Sequence, residues 1–175
     1  MKKNKIKILA ITGIRSEYDL MQPVYYELSK KKNIKLSLFV TGAHLSKKHG
    51  YTVREIIKDN FNIFGKSKSL FNSNSLVSRI KGISIQIKDL MKSIILYKPD
   101  LLIVAGDREE SITVALVGSY MNIPIAHVSG GDRVVGNIDD QIRHAVTKLS
   151  HIHFATNIES KKRILKNGRT TIQSL

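Results

Sequence analysis

Residues able to do chemistry cluster in four short stretches of this chain. The densest reads His127-Val128-Ser129-Gly130-Gly131-Asp132, then Gly136-Asn137-Ile138-Asp139-Asp140-Gln141-Ile142-Arg143-His144. Glycines at 130, 131 and 136 let backbone approach a ligand closely. Asp139 and Arg143 lie four apart, so a helix would put both on one face as an acid–cation pair. The plain alternative is that Asn137 caps the helix and the pair is a surface salt bridge. A second stretch, Ala105-Gly106-Asp107-Arg108-Glu109-Glu110, follows an uncharged run. Asp107 stands where a carboxylate would face a ligand, or else where it would cap the next helix, with Glu109 and Glu110 favouring the positive helix end. The third, Thr12–Asp19, holds one glycine and so lacks both the dinucleotide fingerprint and the Walker A pattern. Its turn and Arg15 can still meet a phosphate, or Ser16 can simply cap a helix. The fourth, Thr41–Gly50, is a polar loop with His44 and His49. His151 and His153 alternate on a strand, and two histidines without a third ligand do not define a metal centre.

The elements that must position these residues follow from periodicity. Strands are predicted at Lys5–Thr12, Ile34–Thr41, Asp100–Ala105, Ile125–Val128 and His151–Ala155. Helices are predicted at Glu17–Lys31, Thr52–Lys58, Leu76–Tyr97, Glu109–Met121, Asp139–Leu149 and Ile158–Lys166. Leu20, Met21, Val24 and Leu28 give the first helix one apolar face. Residues 59–75, rich in Asn, Ser and Lys with Gly65 inside, are predicted as an irregular connection. Pro99 stops the long helix. Strands alternating with helices define an α/β, doubly wound parallel sheet, Rossmann-like. Ligands of such sheets bind beyond the carboxyl ends of the strands, which is where all four stretches fall.

Composition narrows the function classes. Zero cysteines exclude a disulfide framework, a thiolate metal site and a cysteine nucleophile. The basic surplus is +15, with 20 Lys/Arg against 7 acids in residues 1–100 and 9 against 7 afterwards. Nucleic acid, anionic lipid and phosphorylated small molecules would all meet such a surface, although the lysines are dispersed as on a solvated one. The basic N-terminus lacks a signal-length apolar run, and no stretch is long enough to span a bilayer, so a cytoplasmic protein is expected.

Four blocks, TGIRSEYD (12–19), GAHLSKKHG (42–50), GDRE (106–109) and HVSGGDRVVGNIDDQIRHAVTKLSHIHF (127–154), resemble the hydrolysing UDP-N-acetylglucosamine 2-epimerases of sialic-acid-type sugar synthesis. The likeness runs from residue 5 to about 168. It implies one half of a GT-B architecture, in which two Rossmann-like domains hold the nucleotide sugar between them. It also implies catalytic roles for Asp107, Asp139 and Asp132. Substrate-binding roles fall to Arg15, His44, His49, Arg108, His127, Ser129, Arg143 and His144. Several relatives have Glu where Ser129 stands, and Asp132 matches a Glu in the relatives' GGE. No metal, redox cofactor, nucleic acid or membrane is implied, and full-length relatives are expected to be homo-oligomers.

Relatives run to roughly twice this length, as two domains do. The expectation is therefore an N-terminal domain at 1–168, a non-family tail at 169–175, an absent second domain and a fragment inactive by itself. The implied reaction eliminates UDP across C1–C2 of UDP-GlcNAc and then adds water, releasing N-acetylmannosamine. Two other readings stay open: half of a GT-B glycosyltransferase, and a basic binding module without catalysis.

Overall fold

Why the central strands look uncharged becomes clear once their neighbours are seen. The computed structural model describes residues 5–71, 75–134, 136, 138–169 and 171–174. Its strands are β1 (Ile6–Thr12), β2 (Ile34–Val40), β3 (Ile63–Lys66), β4 (Leu101–Ala105), β5 (Ile125–Val128), β6 (Ile152–Ala155) and β7 (Ile172–Ser174). Its helices are α1 (Arg15–Lys30), α2 (Val53–Lys58), α3 (Leu76–Tyr97), α4 (Glu109–Tyr120), α5 (Ile138–Leu149) and α6 (Ile158–Lys166). The strands form one sheet in the order β3-β2-β1-β4-β5-β6-β7, every pairing parallel. Buried on both faces, β1 and β4 have no room for charge between Ile8 and Ile11 or between Leu102 and Val104.

Alternate side chains feed two cores. Leu9, Ile11, Leu102, Val104 and Ile125 pack with α3, α4 and α5 through Leu90, Ile94, Val114, Val117 and Val146. Ile8, Ala10, Leu38, Val40 and Ile103 pack on the opposite face with Tyr18, Met21 and Tyr25 of α1 and with Val53 and Ile56 of α2. The long helix α3 ends at Tyr97, where Lys98 turns left-handed (φ 54°) and Pro99 forbids continuation.

Two strands depart from the sequence-based expectation. Residues 63–66 form β3 inside the stretch read as irregular. This edge strand is short and half-exposed, and Gly65, taken as a loop marker, is a packing glycine: a Cβ there would stand 2.7 Å from Phe39 Cδ2. Residues 172–174 form β7 where only a tail was expected, pairing with β6 in the register His153–Ile172, Phe154–Gln173 and Ala155–Ser174. Three residues are too few to show a period. The 42–50 loop holds two 3-10 turns, Gly42–Leu45 and Lys47–His49.

Glu110 explains two of the glycines. Its buried carboxyl lies where a Cβ of Gly13 or Gly42 would have to be, and Gly42 also has φ +57°. Gly42→Ala is therefore expected to cost about 2 kcal/mol or more, from left-handed backbone plus the clash. Denaturant unfolding measures it, and a loss under about 0.5 kcal/mol would show that Glu110 moves aside.

Candidate active site

Along one face of the sheet, from the start of β4 to the loops after β4 and β5, runs a cavity of about 960 Å³. Its floor is the sheet face of Leu101, Ile103, Ala126, Val128, Ile152 and Phe154, and one wall is α1 through Leu20, Met21, Val24 and Leu28. The apolar stripe read from the sequence thus serves both core and cavity: Met21 is buried in the core, while Leu20, 79% exposed, and Val24 stand open on the cavity side. At the polar end stand Glu17, Asp107, Arg108, Ser129, Asp132, Asp139 and Arg143.

Arg143 organises that end. Its guanidinium pairs with Asp107 and, at 3.3 Å, with Asp132, all three side chains being largely buried. The helical-spacing argument had paired Arg143 with Asp139. The fold instead aims the long side chain across the cavity at the loops after β4 and β5. Asp132 also accepts hydrogen bonds from Thr156 Oγ1 at 2.8 Å, Asn157 Nδ2 at 3.3 Å and Ser160 Oγ. Asp107 does not cap α4, whose N-cap is Arg108 without a side-chain bond, and Ser16 does not cap α1, whose N-cap is Ile14. Asn137, the expected cap of α5, lies outside the described residues. Asp140 accepts from the Val134 backbone N–H at 2.8 Å.

Of the remaining predicted residues, His127 is buried and acts as a tie. Its Nε2 donates to the Gly106 carbonyl at 2.8 Å, and Nδ1 lies 3.3 Å from Thr147 Oγ1. It thereby joins the Asp107 loop to the helix carrying Arg143. His44 is equally buried, between Thr12 Oγ1 at 3.0 Å and Thr52 Oγ1 at 2.7 Å. His49 contacts Ser46 Oγ on the surface, and His144 lies 3.7 Å from Asp140. Arg15 is exposed and pairs with Asp19 and Glu55. None of these five lines the cavity. Among the described residues no three His, Asp or Glu side chains converge on a metal site, and no helix is long and apolar enough to cross a membrane.

Burial perturbs several groups. It pushes His44, His127 and His153 each down to about 4. Burial, then repulsion from Glu110, raises Glu17 to about 8, and burial raises Glu110 as well. Signs follow from proton linkage. The histidines fold neutral, so their contribution is intact above about 6.5 and is lost as pH falls toward 4. Glu17 folds protonated, so its contribution is intact below the unfolded carboxyl range and is lost as pH rises through 8. Thermal unfolding should therefore show greatest stability near pH 6.5, with Glu17→Gln flattening the alkaline limb. An unchanged alkaline limb in that variant would contradict the assignment.

Fold and site together define a Rossmann-like α/β domain whose arginine-bridged carboxylates meet at the sheet's carboxyl edge. A model of the UDP-N-acetylglucosamine 2-epimerase family matches residues 26–173, and the chain belongs to that family. It is 38% identical over 165 residues to GDP/UDP-N,N'-diacetylbacillosamine 2-epimerase (hydrolyzing) of Campylobacter jejuni, covering 94% of this chain and 43% of that protein. It is 36% identical to UDP-N,N'-diacetylbacillosamine 2-epimerase (hydrolyzing) of Legionella pneumophila, covering 93% and 43%. The solved UDP-GlcNAc 2-epimerase from Neisseria meningitidis bound to UDP-GlcNAc shares the fold, with TM-score 0.83 at 23% identity, over 97% of this chain and 45% of that one. The chain thus spans less than half the length of these relatives.

Sequence reasoning missed Glu17 as part of the site and Glu110 as the buried carboxyl beside it. Glu17 heads the Leu20/Met21–Val24–Leu28 stripe at helical spacing, a signal present in the sequence. For Glu110, the two glycines it touches lie about 70 to 100 residues away in the chain, and only the fold brings them together.

Proposed function

We propose that residues 1–168 form the N-terminal domain of a hydrolysing nucleotide-sugar 2-epimerase. Its substrate is a UDP-linked 2-acetamido hexose such as UDP-GlcNAc, and its products are UDP and the free 2-epimer, N-acetylmannosamine. The observation that carries this reading is the convergence of Asp107, Asp132 and Asp139 with Arg108 and Arg143 in one cavity. Elimination of the nucleotide needs a base at C2–H and positive charge near the departing diphosphate. Hydration of the resulting C1=C2 bond needs a group that takes a proton from water at C1. Asp107 and Asp139 are assigned the two proton-accepting tasks, Asp132 holds Arg143, and the guanidiniums face the diphosphate.

The two relatives named above differ from UDP-GlcNAc in the sugar, so the test supplies both sugar nucleotides to an enzyme containing this domain. Release of UDP with a free 2-epimer supports the reading. Transfer of the sugar to an acceptor would assign glycosyltransferase chemistry instead, and salt-sensitive retention on nucleic acid without nucleotide-sugar binding would assign a basic binding module. We place the protein in the cytoplasm, in sialic-acid-type surface sugar synthesis, as a homo-oligomer when joined to its second domain.

A further inference from the structure

The scheme above leaves one cavity carboxyl idle. Glu17 lies in the first turn of α1 with its carboxyl against Gly106, where a Cβ would stand 2.8 Å from Glu17 Oε1. Gly106, at φ +75°, is thus required both by the turn and by the room this carboxyl takes. Among the described residues Glu17 makes no ion pair and no hydrogen bond, so its carboxyl is available to whatever fills the cavity. The nearby cations are engaged elsewhere, Arg143 with Asp107 and Asp132 and Arg108 with Glu110. Facing Glu17 are Glu110 and Arg108 from α4 and its cap, Asp107 from the β4 exit, Arg143 from α5 and Tyr25 from its own helix.

Inversion at C2 requires a proton to leave one face of the sugar and another to arrive on the opposite face. One carboxyl cannot serve both faces, and Asp107 and Asp139 are already assigned the proton-accepting tasks. We propose that Glu17 is a further acid–base residue of this site, entering the reaction protonated and delivering its proton to C2. The inference rests on the 2-epimerase reading. In the hydration step the C1=C2 electron pair takes the Glu17 proton at C2, the water oxygen bonds to C1, and the proton water loses passes to an aspartate. Glu17 is left as carboxylate and the aspartate as acid; transfer between them through solvent resets this pair, and the proton the other aspartate took from C2 in the elimination step is lost to solvent, which restores the start. The environment fits this role, because burial, and then repulsion from Glu110, raises Glu17 to about 8.

Two readouts test it. On this chain, glutamate δ-carbon NMR, with Glu17→Gln for assignment and circular dichroism to check folding, should show Glu17 titrating near pH 8. A midpoint in the ordinary range near 4.3 overturns the proposal, since no proton would then be available at neutral pH. The second readout uses the chain joined to the second half of the Campylobacter relative. There Glu17→Gln should lower formation of free 2-epimer about 100-fold with KM changed less than about threefold. UDP should still be released and the unsaturated sugar should accumulate, with Glu17→Asp restoring part of the rate. Wild-type epimer formation in Glu17→Gln overturns the proposal. A joined enzyme that hydrolyses neither sugar nucleotide counts against the 2-epimerase reading, while the titration on the chain still decides the inference about Glu17.

Discussion

Asp107→Asn, introduced into this chain after it is joined to a second domain, should lower turnover of the sugar nucleotide by about 100-fold or more, the scale of a lost acid–base group. Asparagine keeps the shape and can still meet Arg143, so the cavity should hold and KM should move far less than kcat. The amide cannot accept a proton, which is the one property removed. Arg143 then keeps Asp132 as its ionic partner, limiting collapse of the polar end. Steady-state rates with UDP release and free-sugar detection check this. Equal losses in binding and turnover would assign Asp107 to substrate holding or structure and remove it from the proton path.

The 175-residue chain by itself should not turn over UDP-GlcNAc. A cleft enzyme gains rate from groups fixed on both walls and from excluding water between them. This chain spans 43% of the Campylobacter relative's length and offers one wall. Its cavity is lined by an apolar sheet face and lies open to solvent. Incubation with millimolar substrate and detection of UDP is the measurement. Turnover within tenfold of a two-domain relative would show that the described cavity is a complete active site.

The fold was legible in the sequence wherever an element was long or fully buried. The uncharged run from Leu101 to Ala105 specifies one element because burial leaves few alternatives, and the three-and-four spacing from Leu76 to Ile94 specifies another by its length, although Leu76 and Ile80 stand exposed. The edge strands β3 and β7 escaped because strands of three or four residues are too short to show a period; their backbone pairing defines them. Among the residues expected at the site, Asp107, Arg108, Ser129, Asp132 and Asp139 come to one cavity because each sits on a loop or helix start after a strand, and Arg143 reaches it from the second turn of α5. The partner of Arg143 was not, since local spacing reports neighbours on one helix and says nothing of what a seven-atom side chain reaches across a cleft. Buried His44 and His127 look the same in sequence as ligand-facing histidines. Only the threonine and carbonyl partners around them show that they join loops.

The strand order carries a consequence for assembly during synthesis. Because β1 sits in the interior of the sheet, β2 and β3 build outward on one side, and β4, β5, β6 and β7 then add in turn on the other. No strand has to insert between two already paired. Each newly made strand finds a preformed edge, and the slow, long-range parallel pairing is confined to the single step in which β4 returns to β1 across α3. A chain emerging amino end first therefore meets its partners in the order in which they become available, and the exposed edge that invites misassociation moves outward with each docking event.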